Sequence, residues 1–219
     1  MSLVVALAGE KEIVIAADTL LMMGDSEGYY KQKQPFPKIF KQNSDSLFVV
    51  GITGHSAARY YLTSEKVLDV ASFSETVENY KHCIDDNYAL NNCHAEFTFA
   101  GFEGNEPRIY FCKCYDGLAT LEPKDLGRSV SGISGHGAMY FVHRYHNRKM
   151  RLEELQILAC FAVREAVDFE IRLGRPLELA VVRPAQQPHF LQEKEIADLE
   201  KQCERINGQI RKIFMPTMD

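Results

Sequence analysis

Antiparallel sheets sandwiched between layers of helix, an α+β architecture, follow from three features of the 219-residue sequence. β-branched apolar runs come in pairs around short polar turns, and helical stretches come two at a time between those pairs. The apolar strands also lack a polar face, so both of their sides must be covered.

The first hairpin comprises residues 2–8 (SLVVALA) and 13–18 (IVIAAD) around the polar turn Gly9-Glu10-Lys11-Glu12. With Gly9 opposite Glu12, Ser2 faces Thr19 and Asp18 faces Leu3. Alternation then sends the Asp18 side chain to the face opposite Ser2's. Residues 19–37 are irregular, with Gly, Tyr and Pro, and LFVVGITG (47–54) is a strand ending in glycines. Helical stretches follow at about 55–70 and 74–90, the second opened by the capping-box pattern Ser72-Phe73-Ser74-Glu75. A second hairpin pairs AEFTFAGF (95–102) with RIYFCKCY (108–115) across Glu103-Gly104-Asn105-Glu106-Pro107.

A helix begins near residue 136. Another covers 151–171, with Leu152, Leu155, Ala159, Ala162, Val163 and Ala166 at helical spacing, and LELAVVRP (177–184) is a strand. These segments define one domain over 1–190, with a helical extension over 191–219. In the extension, Ile196, Leu199, Cys203, Ile206, Ile210 and Ile213 form one apolar stripe. It is too short for a coiled coil and is expected to pack on its own domain or on a neighbouring subunit.

Composition narrows the classes of function. The chain is 46% hydrophobic and 25% charged with a net charge of −5, which suits one compact soluble domain. It has no basic run for nucleic acid or an anionic membrane, and no apolar run approaches the roughly 18 residues of a membrane helix. The six cysteines lack a paired C-x-x-C rhythm, which fits reduced thiols and a cytoplasmic location. Cys112 and Cys114 share a strand face, and His143 and His146 are three apart on a helix, but neither pair has further ligands at metal-site spacing. Core thiols and a polar helix face are the expectation, with no metal and no cofactor. His136 sits in a glycine-bracketed turn, where it lines a pocket or caps.

The chemistry centres on Ser2. A serine hydroxyl is a weak nucleophile without a base in reach. Once Met1 is trimmed, Ser2 carries its own α-amine, with a reference pKa of about 7.7–8.0, so nucleophile and base share one residue. A serine after the initiator methionine is common and means little alone; its frame gives it weight. Ser2 opens a buried strand, and the second strand ends in Asp18, a carboxylate that needs a partner. Lys38, a cation in the apolar run Pro37-Lys38-Ile39-Phe40, is the candidate. Beside the nucleophile it would lower the hydroxyl and amine pKa values. Gly51, after Phe48-Val49-Val50, offers a backbone N–H to an oxyanion.

The run from Ser2 to Asp18 resembles the opening of proteasome β subunits and of HslV-type bacterial peptidases, in which an N-terminal nucleophile is followed sixteen residues later by an acid. Lys38-Ile39-Phe40 is similar to the segment bearing that family's catalytic lysine, and Val50-Gly51-Ile52-Thr53-Gly54 to its oxyanion glycine segment. Ile133-Ser134-Gly135-His136-Gly137 resembles the stretch whose serine, here Ser134, supports the amine, and Glu170 falls near the second acid. Leu177–Arg183 resembles the family's Ile-Asp-Val-Ala-Val-Ile strand. The shared order spans most of 2–184, and within the superfamily the chain resembles a bacterial HslV-like or betaproteobacterial-type proteasome homologue.

The resemblance implies a four-layer αββα sandwich, the N-terminal-nucleophile hydrolase fold. It implies a peptidase acting on peptides or unfolded protein, homo-oligomeric rings and an ATP-driven unfoldase. Leu20 stands where a basic residue is common, Glu170 where aspartate is, and Leu173 where a serine is expected. These departures leave room for an inactive assembly or scaffold subunit, and the same site also suits an amidohydrolase or transpeptidase.

Overall fold

A computed structural model describes residues 2–20, 22–25, 28–31, 35–54, 72–86, 94–115, 118–132, 135–170 and 172–214. The first hairpin is β1 (Val4–Ala8) and β2 (Ile13–Asp18), closed by the Gly9 N–H donating to the Glu12 carbonyl at 2.8 Å. Val4 pairs with Ala17 and Ala8 with Ile13, the register expected from the turn, without a bulge. A small ribbon, β3 (Met22–Asp25) with β4 (Gly28–Lys31), precedes β5 (Ile39–Phe40) and β6 (Val49–Gly54). Helix α1 (Phe73–Asp86) follows, then β7 (Ala95–Glu103), β8 (Glu106–Tyr115), β9 (Leu118–Pro123) and β10 (Arg128–Ser131). Helices α2 (Gly135–Tyr145) and α3 (Leu152–Phe169) lead to β11 (Leu177–Val182), β12 (His189–Phe190) and α4 (Glu193–Phe214).

Apart from the β3–β4 ribbon, the described strands form two antiparallel five-stranded sheets, ordered β10-β1-β2-β11-β12 and β5-β6-β7-β8-β9. Burial sorts their side chains into three layers. Val4, Ala6, Ala8, Ile13 and Ile15 meet Ile39, Val49, Ala100 and Ile109 between the sheets. On the far side of the first sheet, Leu3, Val5, Leu7, Val14 and Ala16 pack under Val142 of α2, Leu155 and Ala159 of α3, and Leu199 and Cys203 of α4. On the far side of the second, Val50, Ile52, Phe97 and Phe99 pack under Phe73, Val77, Tyr80 and Ile84 of α1. This is a four-layer αββα sandwich. Its central strands are covered on both faces, which explains why they carry no polar alternation.

The helix bounds follow local signals. The Ser72 hydroxyl accepts the Glu75 N–H at 3.2 Å, so the cap expected from sequence starts α1. Residues 87–90, and the whole stretch expected as a helix over 55–70, lie outside the described residues. The first part of the stripe on α4 packs on its own chain: Ile196, Leu199 and Cys203 enter the core with Ile206 partly buried against it, and Arg164 of α3 donates to the Glu200 carbonyl at 2.7 Å. Ile210 is exposed, and the Ile213 side chain lies outside the described residues. No described helix is long and apolar enough to cross a membrane.

His143 and His146 do not form the polar helix face expected from their spacing. His143 is exposed on α2, whereas His146 lies just past the helix end, only 9% exposed. Its Nε2 donates to the Ala8 carbonyl at 3.0 Å, tying the helical layer to the end of β1. Burial holds its pKa below the ordinary 6.5; the Ala8 bond opposes this, and the charges of Arg128 and Arg148 add to it. The unfolded chain therefore binds the proton first on acidification. Stability is expected to be complete above about pH 6.5 and to fall as pH drops below it. Urea midpoints of the wild type and His146→Gln across pH 5–8 test this, since the variant should lose that part of the dependence.

Candidate functional site

Antiparallel pairing brings one set of strand ends to a single rim of the sandwich. Ser2 leads into β1, Asp18 ends β2, Lys38 precedes β5, Thr53 and Gly54 end β6, Glu96 begins β7, Gly132 follows β10 and Glu178 begins β11. The apolar filling between the sheets gives way here to polar groups.

The centre of the rim is an ion pair. Lys38 Nζ lies 2.5 Å from Asp18 Oδ1, and both side chains are almost wholly buried. The same oxygen accepts the Leu3 N–H at 2.9 Å, while Oδ2 accepts the N–H groups of Leu20 (3.2 Å) and Gly174 (3.3 Å). An isolated buried carboxylate would be prohibitive, but four donors make this one tenable. The ammonium and the amide of the residue following Ser2 thus meet on one oxygen atom. Burial pushes the Lys38 pKa below 10.5, against the opposing pulls of Asp18 and Glu178.

The Lys38 backbone is held as firmly as its side chain. Glu178 faces the space between the sheets, alternating with Leu177 and Leu179. Its Oε1 accepts the Lys38 N–H, and also the Ile39 N–H at 2.6 Å, which clamps the start of β5 to the other sheet. Glu178 is not among the residues expected from sequence, and its one local signal is that it is a lone acid in the apolar strand LELAVV.

Ser2 is 7% exposed and borders a recess of about 230 Å³, lined also by Thr53, Gly54, Glu96, Tyr115 and Gly132. By alternation from Val4 and Ala6, the Ser2 side chain faces the space between the sheets, whereas Asp18 pairs opposite Leu3. The carboxylate reaches the rim from the other face through Lys38. Gly132 has φ +107°, and a Cβ there would overlap the Ser2 carbonyl oxygen, so only glycine lets the end of β10 lie against the serine.

The two glycines of β6 differ in what their backbones do. Gly51 is a packing glycine: a methyl there would stand 2.6 Å from Val4 Cγ1 and 3.0 Å from Ile15 Cδ1. The Ile52 N–H donates to the Lys38 carbonyl at 2.9 Å, so by ladder alternation the Gly51 N–H points towards Thr98 of β7. Gly54, two residues beyond Ile52, turns its N–H to the β5 side, where β5 has already ended. It has φ +94° and lines the Ser2 recess.

Glu170 caps the end of α3, with its carboxylate taken by Arg172 in two 2.6 Å bonds. The chain from Glu170 reaches Asp18 through the Gly174 N–H. Leu173, at a position where a hydroxyl was expected, is buried in the core, as is Leu20. Met1, Ser134 and the side chain of His136 lie outside the described residues. Cys112 and Cys114 are buried, and burial raises the Cys112 pKa to about 12, leaving an inert thiol. Among the described residues no group of three His, Cys, Asp or Glu side chains is placed to hold a metal ion.

No family model and no curated protein matches the chain. Solved structures do match. A Gly-1 mutant of Anbu from Hyphomicrobium sp. strain MC1 is 16% identical, covers 100% of this chain and 99% of its own, and has a TM-score of 0.76. Anbu, described as an ancestral beta-subunit, from Yersinia bercovieri is 15% identical over 97% of this chain and 96% of its own, with a TM-score of 0.75. A second Hyphomicrobium Anbu structure is 17% identical over 99% and 98%, with a TM-score of 0.71. At these identities the likeness is one of fold along the whole chain.

Proposed function

We propose that this proteasome-like fold carries a peptidase in which Ser2, exposed as the first residue by removal of Met1, is the nucleophile and its own α-amine the base. The observation that supports this best is the buried Lys38–Asp18 pair sharing a carboxylate oxygen with the Leu3 amide, directly beside Ser2. The α-amine takes the hydroxyl proton as Oγ attacks a peptide carbonyl. The tetrahedral intermediate collapses to an ester on Ser2, and the leaving amine departs with the proton. Water, activated by the same amine, then releases the acid and restores the serine. The nearby Lys38 ammonium favours the deprotonated forms of both groups. The orientation of the Gly54 N–H favours it over Gly51 as oxyanion donor. An extended peptide would lie along the rim beyond the end of β5, adding as a strand. Ser134 and Glu170 remain the candidates for holding the amine.

This reading extends to the assembly. The 1–190 domain, with 191–219 as its helical extension, would build homo-oligomeric rings that enclose the sites, fed with unfolded protein in the cytoplasm by an ATP-driven unfoldase. Apolar Leu20 and Leu173 favour a second reading, an assembly subunit that has lost activity. Amidohydrolysis or peptide transfer at the same serine would be revealed by its products.

Intact mass spectrometry with an acylating or epoxyketone probe separates these readings. The peptidase should lack Met1 and gain one probe mass on Ser2. A mature chain that retains Met1, or one that takes up no probe, would leave the scaffold reading.

A further inference from the structure

We infer that Glu96 is a positioning residue for Ser2, its carboxylate tying together the two glycine-bearing segments that flank the serine. The inference rests on the peptidase reading above. Along β7, Phe97 and Phe99 turn towards α1, which leaves Glu96 and Thr98 facing the other sheet. A carboxylate between two packed sheets is costly unless its oxygens are bonded.

Glu96 Oε2 accepts the Thr53 hydroxyl at 3.3 Å from the directly opposed residue of β6, and the Gly132 N–H at 2.8 Å from the opposite sheet. Each partner adjoins the serine's surroundings. Thr53 immediately precedes Gly54, and the Gly132 backbone is pressed against the Ser2 carbonyl with no room for a Cβ. One oxygen atom therefore sets the spacing between the Gly54 side and the Gly132 side of the recess. Lys113, the cross-strand neighbour of Glu96 on β8, His94, Cys114 and Tyr115 are the other charged and titratable side chains described at the recess wall. The bond to Gly132 is charge-assisted and short, the type that holds a backbone in place.

The sequence gives no hint of this role. Glu96 is 36 residues from Gly132 and 43 from Thr53, and it reads as an ordinary polar residue at the start of a strand.

The test compares Glu96→Ala, Glu96→Gln and Thr53→Val by the saturation kinetics of Ser2 modification with the acylating probe. Misplacing the reacting groups by about 1 Å costs roughly 10²-fold. Glu96→Ala should therefore lose about that factor in the limiting rate, with the half-saturating probe concentration unchanged. Glu96→Gln keeps an acceptor oxygen and should retain most of the rate, while Thr53→Val, which cuts one tie, should fall between them. Amide exchange at Gly132 should quicken in Glu96→Ala. A Glu96→Ala rate equal to wild type, or a Glu96→Gln variant as impaired as the alanine, overturns the inference while Ser2 labelling in the wild type stands. If Glu96→Ala does not fold, the other two variants decide. An unlabelled wild type removes the peptidase reading and this inference with it.

Discussion

Ser2→Ala is expected to abolish covalent labelling and peptide hydrolysis outright while leaving the fold intact. The substitution deletes one atom, Oγ, and keeps both the α-amine and the strand that carries it. No other residue in the proposed reaction can take over, because base and nucleophile belong to the same residue. Ser2 lies at the end of the buried β1 layer, where alanine fits the space and continues the Val4–Ala6 pattern. Urea unfolding should therefore change by no more than about 1 kcal/mol. Intact mass with and without probe, together with a urea titration, checks both halves. A Ser2→Ala protein that still takes up one probe would place the nucleophile elsewhere in the chain.

Lys38→Ala should combine a rate loss with a stability loss. Among the described residues Lys38 supplies the only positive charge bonded to the Asp18 carboxylate, which keeps three backbone N–H partners when the lysine is removed. Breaking a buried pair from one side leaves an uncompensated charge and costs about 3–5 kcal/mol. The labelling rate should fall by roughly 10²-fold or more, since the charge that depresses the serine and amine pKa values is gone. The two effects are separable. Lys38→Met combined with Asp18→Asn removes both charges while keeping most of the volume, so it should recover much of the stability and none of the rate. If the double variant labels at the wild-type rate, Lys38 serves only as a counter-ion for a structural acid.

Much of this site could be seen in the chain itself, because the signals were local. Asp18 ends an all-apolar strand and Lys38 interrupts an apolar run, so each had to find a buried partner, and each found the other. The first hairpin's register followed from one turn, and with it the placement of Asp18 on the face opposite Ser2. Gly51 and Gly54 show where such reading stops. Both stand in Val50-Gly51-Ile52-Thr53-Gly54, and nothing in that string says which N–H faces the rim. The answer depends on β5 having only two paired residues. His146 was likewise read by its spacing from His143, but the helix ends one residue earlier and Ala8 captures the ring.

Periodicity and turn chemistry act over a few residues, so the sequence alone determined the doubly covered strands, the described helices Phe73–Asp86, Gly135–Tyr145 and Leu152–Phe169 that follow them, and the presence of a serine, an acid and a lysine in apolar surroundings. Which polar atoms meet at the rim was decided only in three dimensions. Glu178 reaches Lys38 across 140 positions and Glu96 reaches Gly132 across 36, in both cases from one sheet to the other. A hydrogen bond is satisfied by an atom's position in space and leaves no mark on residue spacing when its partner lies on another sheet. Desolvation between the sheets is what makes those bonds obligatory, and it exists only once the two sheets have closed on each other.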